Sequence, residues 1–434
     1  MANLTFNYDK GGVNMYLPRL IEKTIKEKLS YIGAIQIEGP KWCGKSTTAS
    51  RFADTIIKLQ DPIVYTRYKT FATTSKADLL FGNKPILFDE WQKIPEIWDF
   101  VRLDIDEQNG KPGQYILTGS AKPKDDPGRH SGTGRIAQIK MRPMSLYESN
   151  DSSGEVSLEK LFNEPNYHAR GESKLTIIDQ VNLVCRGGWP GLYGQPIKNA
   201  INYVKDYYES LTNSDITNVD GIKRNPNRAK AILRTYARNI STLTDYQTMI
   251  RDLENVGEGV DKTTFASYLN AFEKLFVIEN IDAWTPNLRS ATRIRMSQKK
   301  QFVDSSIAAI ALGVTPDELG KDMKTFGFFF ESMVTRDLKV YLDKLDGRVF
   351  HYRDKNELEV DCILKSNDDK WAAVEIKVGG NQLDTAAANL LKFKNKVNTE
   401  HMKEPSFLTI IYAGTSAYRR ADGVYVVPIG CLKD

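Results

Sequence analysis

Residues 39–46 read Gly-Pro-Lys-Trp-Cys-Gly-Lys-Ser, and this stretch decides the fold of the N-terminal part of the chain. It matches the Gly-x-x-x-x-Gly-Lys-Ser/Thr pattern of a phosphate-binding loop. The apolar run at residues 34–37 predicts a strand before the loop, and residues 46–53, which contain no proline, predict a helix after it. Backbone N–H groups of such a loop point at phosphate oxygens, and the helix dipole adds positive potential. The sequence therefore predicts a nucleotide-binding α/β fold.

Each residue of the loop has an expected role. Lys45 would contact the β- and γ-phosphates of ATP, and Ser46 would hold Mg²⁺. The residues expected to bind the nucleotide are Gly39, Pro40, Lys41, Trp42, Cys43, Gly44, Lys45, Ser46, Thr47 and Asp89.

Two further strands supply polar ends. Residues 85–90 read Pro-Ile-Leu-Phe-Asp-Glu, an apolar strand that ends in two acids. Asp89 would bind Mg²⁺ through water or through Ser46, and Glu90 would orient the attacking water. The alternative is a buried strand whose acidic end faces solvent. A third strand at residues 114–120 places Thr118 where it would contact the γ-phosphate or the water.

The composition bounds the class of protein. Of 434 residues, 41% are apolar and 26% are charged, which is ordinary for soluble globular proteins. No run of about 18 apolar residues occurs and the N-terminus lacks a leader pattern, so a cytoplasmic protein without a membrane partner is expected. The four cysteines are dispersed and predict neither a disulfide framework nor a zinc site. The net charge of +5 does not by itself indicate nucleic acid.

Shifts in composition predict four parts of an α/β chain. Residues 1–150 are expected to form a P-loop ATPase domain with a parallel sheet, and residues 151–200, which begin with a polar stretch, a linker and connecting segment. Residues 201–315 are expected to form a helical, winged-helix-like domain, and residues 316–434 an α/β domain.

The helical part contains basic segments. Residues 221–240 carry six basic residues and no acid, and two helices follow at residues 243–254 and 261–275, in helix-turn-helix order. Residues 276–281 predict the first strand of a wing. The segment 284–300 then adds Arg289, Arg293, Arg295, Lys299 and Lys300. Two interpretations stay open: contact with DNA or RNA, or a helical scaffold whose basic face is solvated or packs on the ATPase domain.

The C-terminal part places carboxylates near a lysine. Because side chains alternate along a strand, Glu375 and Lys377 must share one face, and Asp361 on the preceding hairpin strand can lie across from them. Two carboxylates that share a divalent ion, with a lysine nearby, predict a phosphodiesterase site, which Glu331 on the preceding helix would complete. The alternative is a set of ion pairs on an amphipathic hairpin.

The combined pattern resembles a family of prokaryotic ATPases related to the AAA superfamily, with a winged-helix segment and a C-terminal domain of unknown function that is similar to PD-(D/E)XK nucleases. The segments that carry the resemblance are residues 37–49, 87–92, 116–121, 130–136, 141–149, 186–192 and 299–313. The resemblance implies that Arg135 or Arg129 acts as an arginine finger, in cis or in trans, and a finger in trans implies an oligomer. A structural pair with an acid is the alternative for Arg135.

Three functions follow from these features. The first is a Mg²⁺-dependent ATPase whose nucleotide cycle gates a nucleic-acid-binding C-terminal half. The second is an ATP-regulated, metal-dependent nuclease that uses Asp361, Glu375 and Lys377. The third is a nucleotide-switched DNA-binding or signalling scaffold without strong turnover.

Overall fold

The computed structural model describes residues 16–120, 132–285, 297–397 and 402–434. Its N-terminal part is a parallel five-stranded sheet with helices packed around it. The strands are β1 (Ala34–Glu38), β2 (Thr55–Lys58), β3 (Ile86–Asp89), β4 (Tyr115–Gly119) and β5 (Ile136–Lys140), in the order β2-β3-β4-β1-β5. All four neighbouring pairs are parallel, so the carboxyl ends of the strands lie at one edge. The predicted parallel sheet is confirmed.

Helices connect these strands. Their bounds are Ile21–Leu29, Lys45–Ala49, Pro62–Thr74, Lys76–Leu79 and Glu96–Glu107. The helix after the phosphate-binding loop is shorter than the sequence predicts, because its last turn tightens into a 3₁₀ turn at Ser50–Phe52. The chain must then extend at once into β2, which leaves no room for a longer helix.

The segment expected to be a linker is structured and pairs with the C-terminal part. Its strands β6 (Val156–Ser157) and β7 (Gly171–Glu172) pair with β15 (Leu432–Lys433) and β13 (Ser416–Arg419), respectively. Helices Leu158–Asn163 and Ile177–Arg186 belong to the same segment. The division of the chain into four domains stays a prediction.

The helical part contains the two predicted helices in helix-turn-helix order. Its helices are Ile197–Ser210, Ile216–Asn218, Pro226–Arg238, Tyr246–Asn255 and Lys262–Lys274, and a π-helical turn spans Leu211–Asp215. Residues 276–281 do not form the predicted strand. Two isolated bridges, Ile278 with Phe302 and Ile281 with Lys299, lead instead into β8 (Asp282–Ala283), which pairs with the C-terminal sheet. The winged helix is therefore not confirmed.

The C-terminal part is an eight-stranded mixed sheet between helices. Its other strands are β9 (Arg348–Arg353), β10 (Glu359–Lys365), β11 (Trp371–Lys377), β12 (Phe407–Tyr412) and β14 (Tyr425–Pro428), and the full order is β7-β13-β14-β12-β11-β10-β9-β8. The helices of this part are Pro316–Lys321, Met323–Asp343 and Leu383–Lys396, and the helix Ser305–Leu312 before them packs mainly against Pro226–Arg238.

The two longest of these helices cover opposite faces of the sheet. Val374 of β11 shares a core cluster with Met333 of the helix Met323–Asp343, whereas the adjacent Ala373 shares a cluster with Leu390 of the helix Leu383–Lys396. This alternation follows from the two-residue period of a strand. Among the described residues, no helix has the length and apolar character needed to cross a membrane.

Candidate nucleotide-binding site

The phosphate-binding loop turns at two glycines. Gly44 has a φ of 99°, in the left-handed region, and precedes the helix Lys45–Ala49. A Cβ atom on Gly39 would lie 2.1 Å from the carbonyl oxygen of Met141, so the backbone could not approach that residue with any other side chain at this position. The two glycines thus fix the curl that the sequence pattern predicts.

Polar side chains from three strand ends meet at this loop. Ser46 Oγ donates to Asp89 Oδ1 at 2.5 Å, and Thr118 Oγ1 donates to the same oxygen at 2.6 Å. The buried Lys45 curls back, so that its Nζ donates to the carbonyl oxygens of Gly39 at 2.9 Å and Pro40 at 2.7 Å. The structure therefore brings together the four predicted residues Lys45, Ser46, Asp89 and Thr118.

Glu90 is held beside this group. Its φ of 59° turns the backbone sharply after β3. Ser120 Oγ donates to its Oε2 at 3.0 Å, and Gln92 Nε2 donates to the same oxygen. Glu90 and Ser120 both line the cavity that contains the loop. Two neutral donors, Ser120 and Gln92, thus position the carboxylate.

The cavity over the loop has a volume of about 870 Å³. Lys45, Ser46 and Thr47 line one side. The lining also includes residues 189–192, here called the covering turn, and Tyr203 from the helix Ile197–Ser210. Pro190 Cγ lies 3.5 Å from where a Cβ on Gly44 would be. The site is therefore built by two parts of the chain, although the sequence indicated only one.

Buried polar contacts hold the covering turn. The N–H of Gly188 donates to Asp304 Oδ2 at 2.9 Å, and the indole N–H of Trp189 donates to Ser306 Oγ at 3.0 Å. Arg336 Nη1 lies 2.8 Å from the same Asp304 oxygen. Although burial opposes ionisation, Arg336, Ser306 and the N–H of Gly188 lower the pKa of Asp304. These contacts join residues 186–192 to residues 299–313.

Arg19 is a loop-positioning residue that the sequence did not indicate. Its Nη1 donates to the carbonyl oxygen of Cys43 at 2.7 Å, within the phosphate-binding loop. It also pairs with Glu148 at 3.0 Å and donates to the carbonyl oxygen of Arg142 at 2.8 Å. Arg19 is 6% exposed, so these bonds tie the loop to the chain that follows β5.

The structure places Arg135 away from the phosphate-binding loop, and an arginine finger in cis stays a prediction. Arg135 precedes β5, which is parallel to β1, so it lies at the opposite edge of the sheet from the phosphate-binding loop, roughly 16 Å away along five residues of strand. Its Nε pairs with Asp106 at 2.7 Å. Action in trans stays a prediction, and Arg129 lies outside the described residues.

The predicted C-terminal residues also meet. Lys377 Nζ lies 2.6 Å from Glu375 Oε2 and 3.0 Å from Asp361 Oδ2, so the shared face is confirmed. The buried Lys299 pairs with Glu331 at 2.8 Å and lies 3.7 Å from Asp361 Oδ1. Ammonium groups therefore lie among the carboxylates where a divalent ion would be needed. In the described parts of the chain, no group of three or more His, Cys, Asp or Glu is placed to hold a metal ion.

The pKa values of this cluster diverge. Burial and the charge of Asp361 raise the pKa of Glu375. Burial opposes ionisation of Asp361 too, but Lys377 and Lys299 lower its pKa. Burial raises the pKa of Glu331 to about 7 against the attraction of Lys299. The geometry fits ion pairing more closely than an open metal site, and the second metal site stays a prediction.

The basic segments are less open to a polyanion than the sequence suggested. Within residues 221–240, three of the six cations pair with acids of neighbouring helices or turns: Arg224 with Asp220 at 2.7 Å, Lys230 with Glu209 at 2.6 Å, and Arg238 with Asp252 at 3.6 Å. Lys299 and Lys300 are buried, at 1% and 3% exposure. Arg289, Arg293 and Arg295 lie outside the described residues. Nucleic-acid binding stays a prediction.

Three family models match the chain. Residues 33–150 match an AAA domain, residues 178–318 match a domain of unknown function (DUF8612), and residues 326–432 match a second domain of unknown function (DUF4143). No curated protein matches the sequence.

Solved structures with some similarity include proteins of three Pyrococcus species. A Walker-type ATPase of Pyrococcus abyssi is 14% identical, with 68% of this chain and 96% of that chain covered and a TM-score of 0.39. A signal transduction ATPase with numerous domains and a tetratricopeptide repeat sensor from Pyrococcus horikoshii is 12% identical, with 76% and 50% covered and a TM-score of 0.23. The Hef helicase domain of Pyrococcus furiosus is 11% identical, with 91% and 89% covered and a TM-score of 0.19.

The match to the AAA domain covers the strands and loops described above. It begins just before β1 and ends after the strand β5, so it includes the phosphate-binding loop and the acidic end of β3. The parallel sheet and the polar cluster at its carboxyl edge agree with this match. Residues 33–150 form an AAA-type domain with the P-loop ATPase fold.

Proposed function

We propose that the protein is a Mg²⁺-dependent ATPase whose nucleotide state acts on its C-terminal half. One observation carries the proposal: Ser46 and Thr118 both donate to Asp89, next to a cavity that Lys45, Ser46 and Glu90 line and that is large enough for a nucleotide. Nucleotide binding needs only the loop, whereas hydrolysis also needs the acids. Both are present here.

The residues fit Mg²⁺ and a triphosphate. Ser46 and Asp89 offer the hard oxygen ligands that Mg²⁺ prefers, and they already lie within hydrogen-bonding distance. These two residues would hold the ion, which when bound neutralises charge on the β- and γ-phosphates.

Three side chains have further roles in binding and hydrolysis. Lys45 Nζ now satisfies two loop carbonyls and would turn to the phosphates when a nucleotide enters. Glu90, held by Ser120 and Gln92, would orient the attacking water and accept its proton. Thr118 would keep Asp89 in its orientation.

The C-terminal half is connected to this cavity through one helix. Gly188, directly before the covering turn, donates its N–H to Asp304, and Asp304 pairs with Arg336 on the helix Met323–Asp343. The same helix carries Glu331, which pairs with Lys299 in the C-terminal cluster. We infer that a nucleotide that moves the covering turn changes the free energy of these buried pairs. Gating of the C-terminal half, with DNA as a candidate partner, is proposed on this basis.

Two substitutions test the ATPase. Lys45→Ala should abolish tight ATP binding, measured by calorimetry on the full-length protein. Glu90→Gln should preserve ATP binding and lower turnover, measured by phosphate release, by a factor of roughly 100 or more if Glu90 supplies general-base catalysis. Normal ATP affinity in the first variant, or full turnover in the second, would contradict the proposed roles.

A metal-dependent nuclease regulated by ATP is the second candidate. A cavity of about 520 Å³ opens beside Glu375 and Lys377, lined also by Asn389 and Lys392. Metal binding there would require Lys377 and Lys299 to leave Asp361. Cleavage of plasmid or single-stranded DNA that depends on Mg²⁺ or Mn²⁺ and disappears in Asp361→Ala, with ATPase activity intact, would support this candidate. A wild-type protein that cuts neither substrate with either metal leaves the nucleotide-switched scaffold as the alternative.

A further inference from the structure

Trp42 is an exposed aromatic residue inside the phosphate-binding loop. Its side chain is 53% exposed, whereas the other five tryptophans of the chain are at most 5% exposed. Its φ of 68° lies in the left-handed region, which is unfavourable for a residue with a large side chain. A strained and solvent-facing tryptophan in a ligand loop is the kind of outlier that accompanies binding.

Contacts with the helical part hold Trp42 in place. Its ring lies 6.2 Å from the ring of Tyr203, edge to face, and 5.8 Å from that of Tyr207. Lys41, the preceding residue, pairs with Asp215 at 2.7 Å. Asp215 ends a π-helical turn, a rare element that is frequent at functional sites. Lys41 and Trp42, which occupy variable positions of the loop pattern, thus bind the loop to the neighbouring helical segment.

The cavity has a polar end and an apolar end. Glu90 and Ser120 mark the end where the γ-phosphate is expected, and the polar lining residues Gln60 and Lys93 follow β2 and β3 on that same side. Beyond residues 44–47, the rest of the lining consists of Lys41, which pairs with Asp215, together with Trp42, Tyr203 and the covering turn. Tyr203 is itself 50% exposed. Among the described lining residues at this end, no side-chain amide or carboxylate is available to read the edge of a base.

We propose that the nucleobase packs against the rings of Trp42 and Tyr203 and against Pro190 and Leu192 of the covering turn. Stacking on an aromatic face tolerates any base and favours the larger ones. The ligand class is therefore purine nucleoside triphosphates with little discrimination between adenine and guanine. This site rests on the proposed function, because the loop must first bind the phosphates. It also makes the nucleotide a contact between the ATPase domain and the helical part.

The test compares ATP, GTP and inorganic tripolyphosphate, each with Mg²⁺, by calorimetry on the full-length protein. In the wild type, ATP and GTP should bind within about tenfold of each other, and tripolyphosphate should bind more weakly than either. Trp42→Ala and Tyr203→Ala should each weaken ATP and GTP roughly 5- to 150-fold and leave tripolyphosphate affinity unchanged. Tyr31→Ala, at a tyrosine that is 60% exposed and lies outside the cavity, is the matched control and should change nothing.

Each outcome separates the base site from the phosphate site. Unchanged ATP affinity in both Trp42→Ala and Tyr203→Ala overturns the base site and leaves the ATPase proposal intact. A preference of more than about 100-fold between ATP and GTP overturns recognition by stacking. Equal loss of ATP and tripolyphosphate affinity shows that the substitution distorted the loop, which also contradicts a role confined to the base. Absence of binding by ATP and tripolyphosphate alike overturns the proposed function, and this site with it.

Discussion

Replacement of Arg336 by methionine tests the buried contacts that hold the covering turn. Arg336 and Asp304 have side chains that are 1% and 0% exposed, and Arg336 also pairs with Asp337 at 2.7 Å. Removal of one partner from a buried ion pair costs about 3–5 kcal/mol, because the remaining charge stays desolvated. Asp304 would keep only the hydrogen bonds from Gly188 and Ser306.

Asp337, the second carboxylate beside Arg336, contributes less to the loss of stability. Burial already raises the pKa of Asp337 to about 6 against the attraction of Arg336. Without the guanidinium its pKa rises further, so it can bind a proton near neutral pH and avoid a buried negative charge. We therefore expect Arg336→Met to lower the free energy of unfolding by about 3–5 kcal/mol, most of it through Asp304.

Urea unfolding followed by tryptophan fluorescence measures this loss. Arg353→Met is the matched control, since Arg353 is 41% exposed and its nearest acid, Glu357, lies 3.7 Å away. An exposed pair of this kind contributes about 0–1 kcal/mol. Arg336→Met should also weaken ATP binding, because Gly188 loses a firmly held acceptor. A loss below about 1 kcal/mol, equal to that of the control, would refute the reasoning.

Three other predictions concern single side chains. Burial and the charge of Lys299 lower the pKa of the buried His351 to about 4. As the pH falls below the ordinary pKa of 6.5, the unfolded state therefore binds more protons than the native state, and the protein becomes less stable. Between pH 7 and pH 5 this linkage lowers the free energy of unfolding by about 2 kcal/mol. His351→Gln should abolish this loss, whereas the control His168→Gln, at an exposed imidazole, should leave it unchanged. Urea unfolding at both pH values measures the difference. Thr118→Val should lower ATP turnover roughly fivefold by removing one hydrogen bond of about 1 kcal/mol to Asp89, and unchanged phosphate release would exclude that role. Arg135→Ala should leave turnover unchanged, whereas a loss of about 1,000-fold would indicate a finger that reaches a neighbouring copy.

The part of the site that the sequence predicted depends on local geometry. Parallel strands end at one edge, so an acid after β3 and a hydroxyl at the end of β4 must approach a loop after β1. The pairing of Glu375 with Lys377 follows in the same way from the two-residue period of a strand. The first contact follows from parallel strand topology and the second from the two-residue period of a strand, and both can be recognised in a short stretch of sequence.

The part that the sequence did not predict depends on contacts between distant segments. Pro190 lies against Gly44 across more than a hundred residues, and no periodic pattern records that approach. Lys299 looked like a member of a basic face until the structure placed it between acids of a helix and a strand. Charge counts along a sequence cannot show such pairing, because the partner acids lie elsewhere in the chain.

The edges of the C-terminal sheet have a consequence for how this chain can be divided. Both edge strands, β7 and β8, come from segments that precede the central strands, and β15 pairs with the still earlier β6. A fragment that began at residue 316 would expose the hydrogen-bonding groups of β9 and β13, which invites edge-to-edge association and aggregation. During synthesis β6 and β7 must likewise wait for strands made more than a hundred residues later. The sheet therefore depends on strands spread from residue 171 to residue 428, and its folding should be slow and cooperative rather than modular.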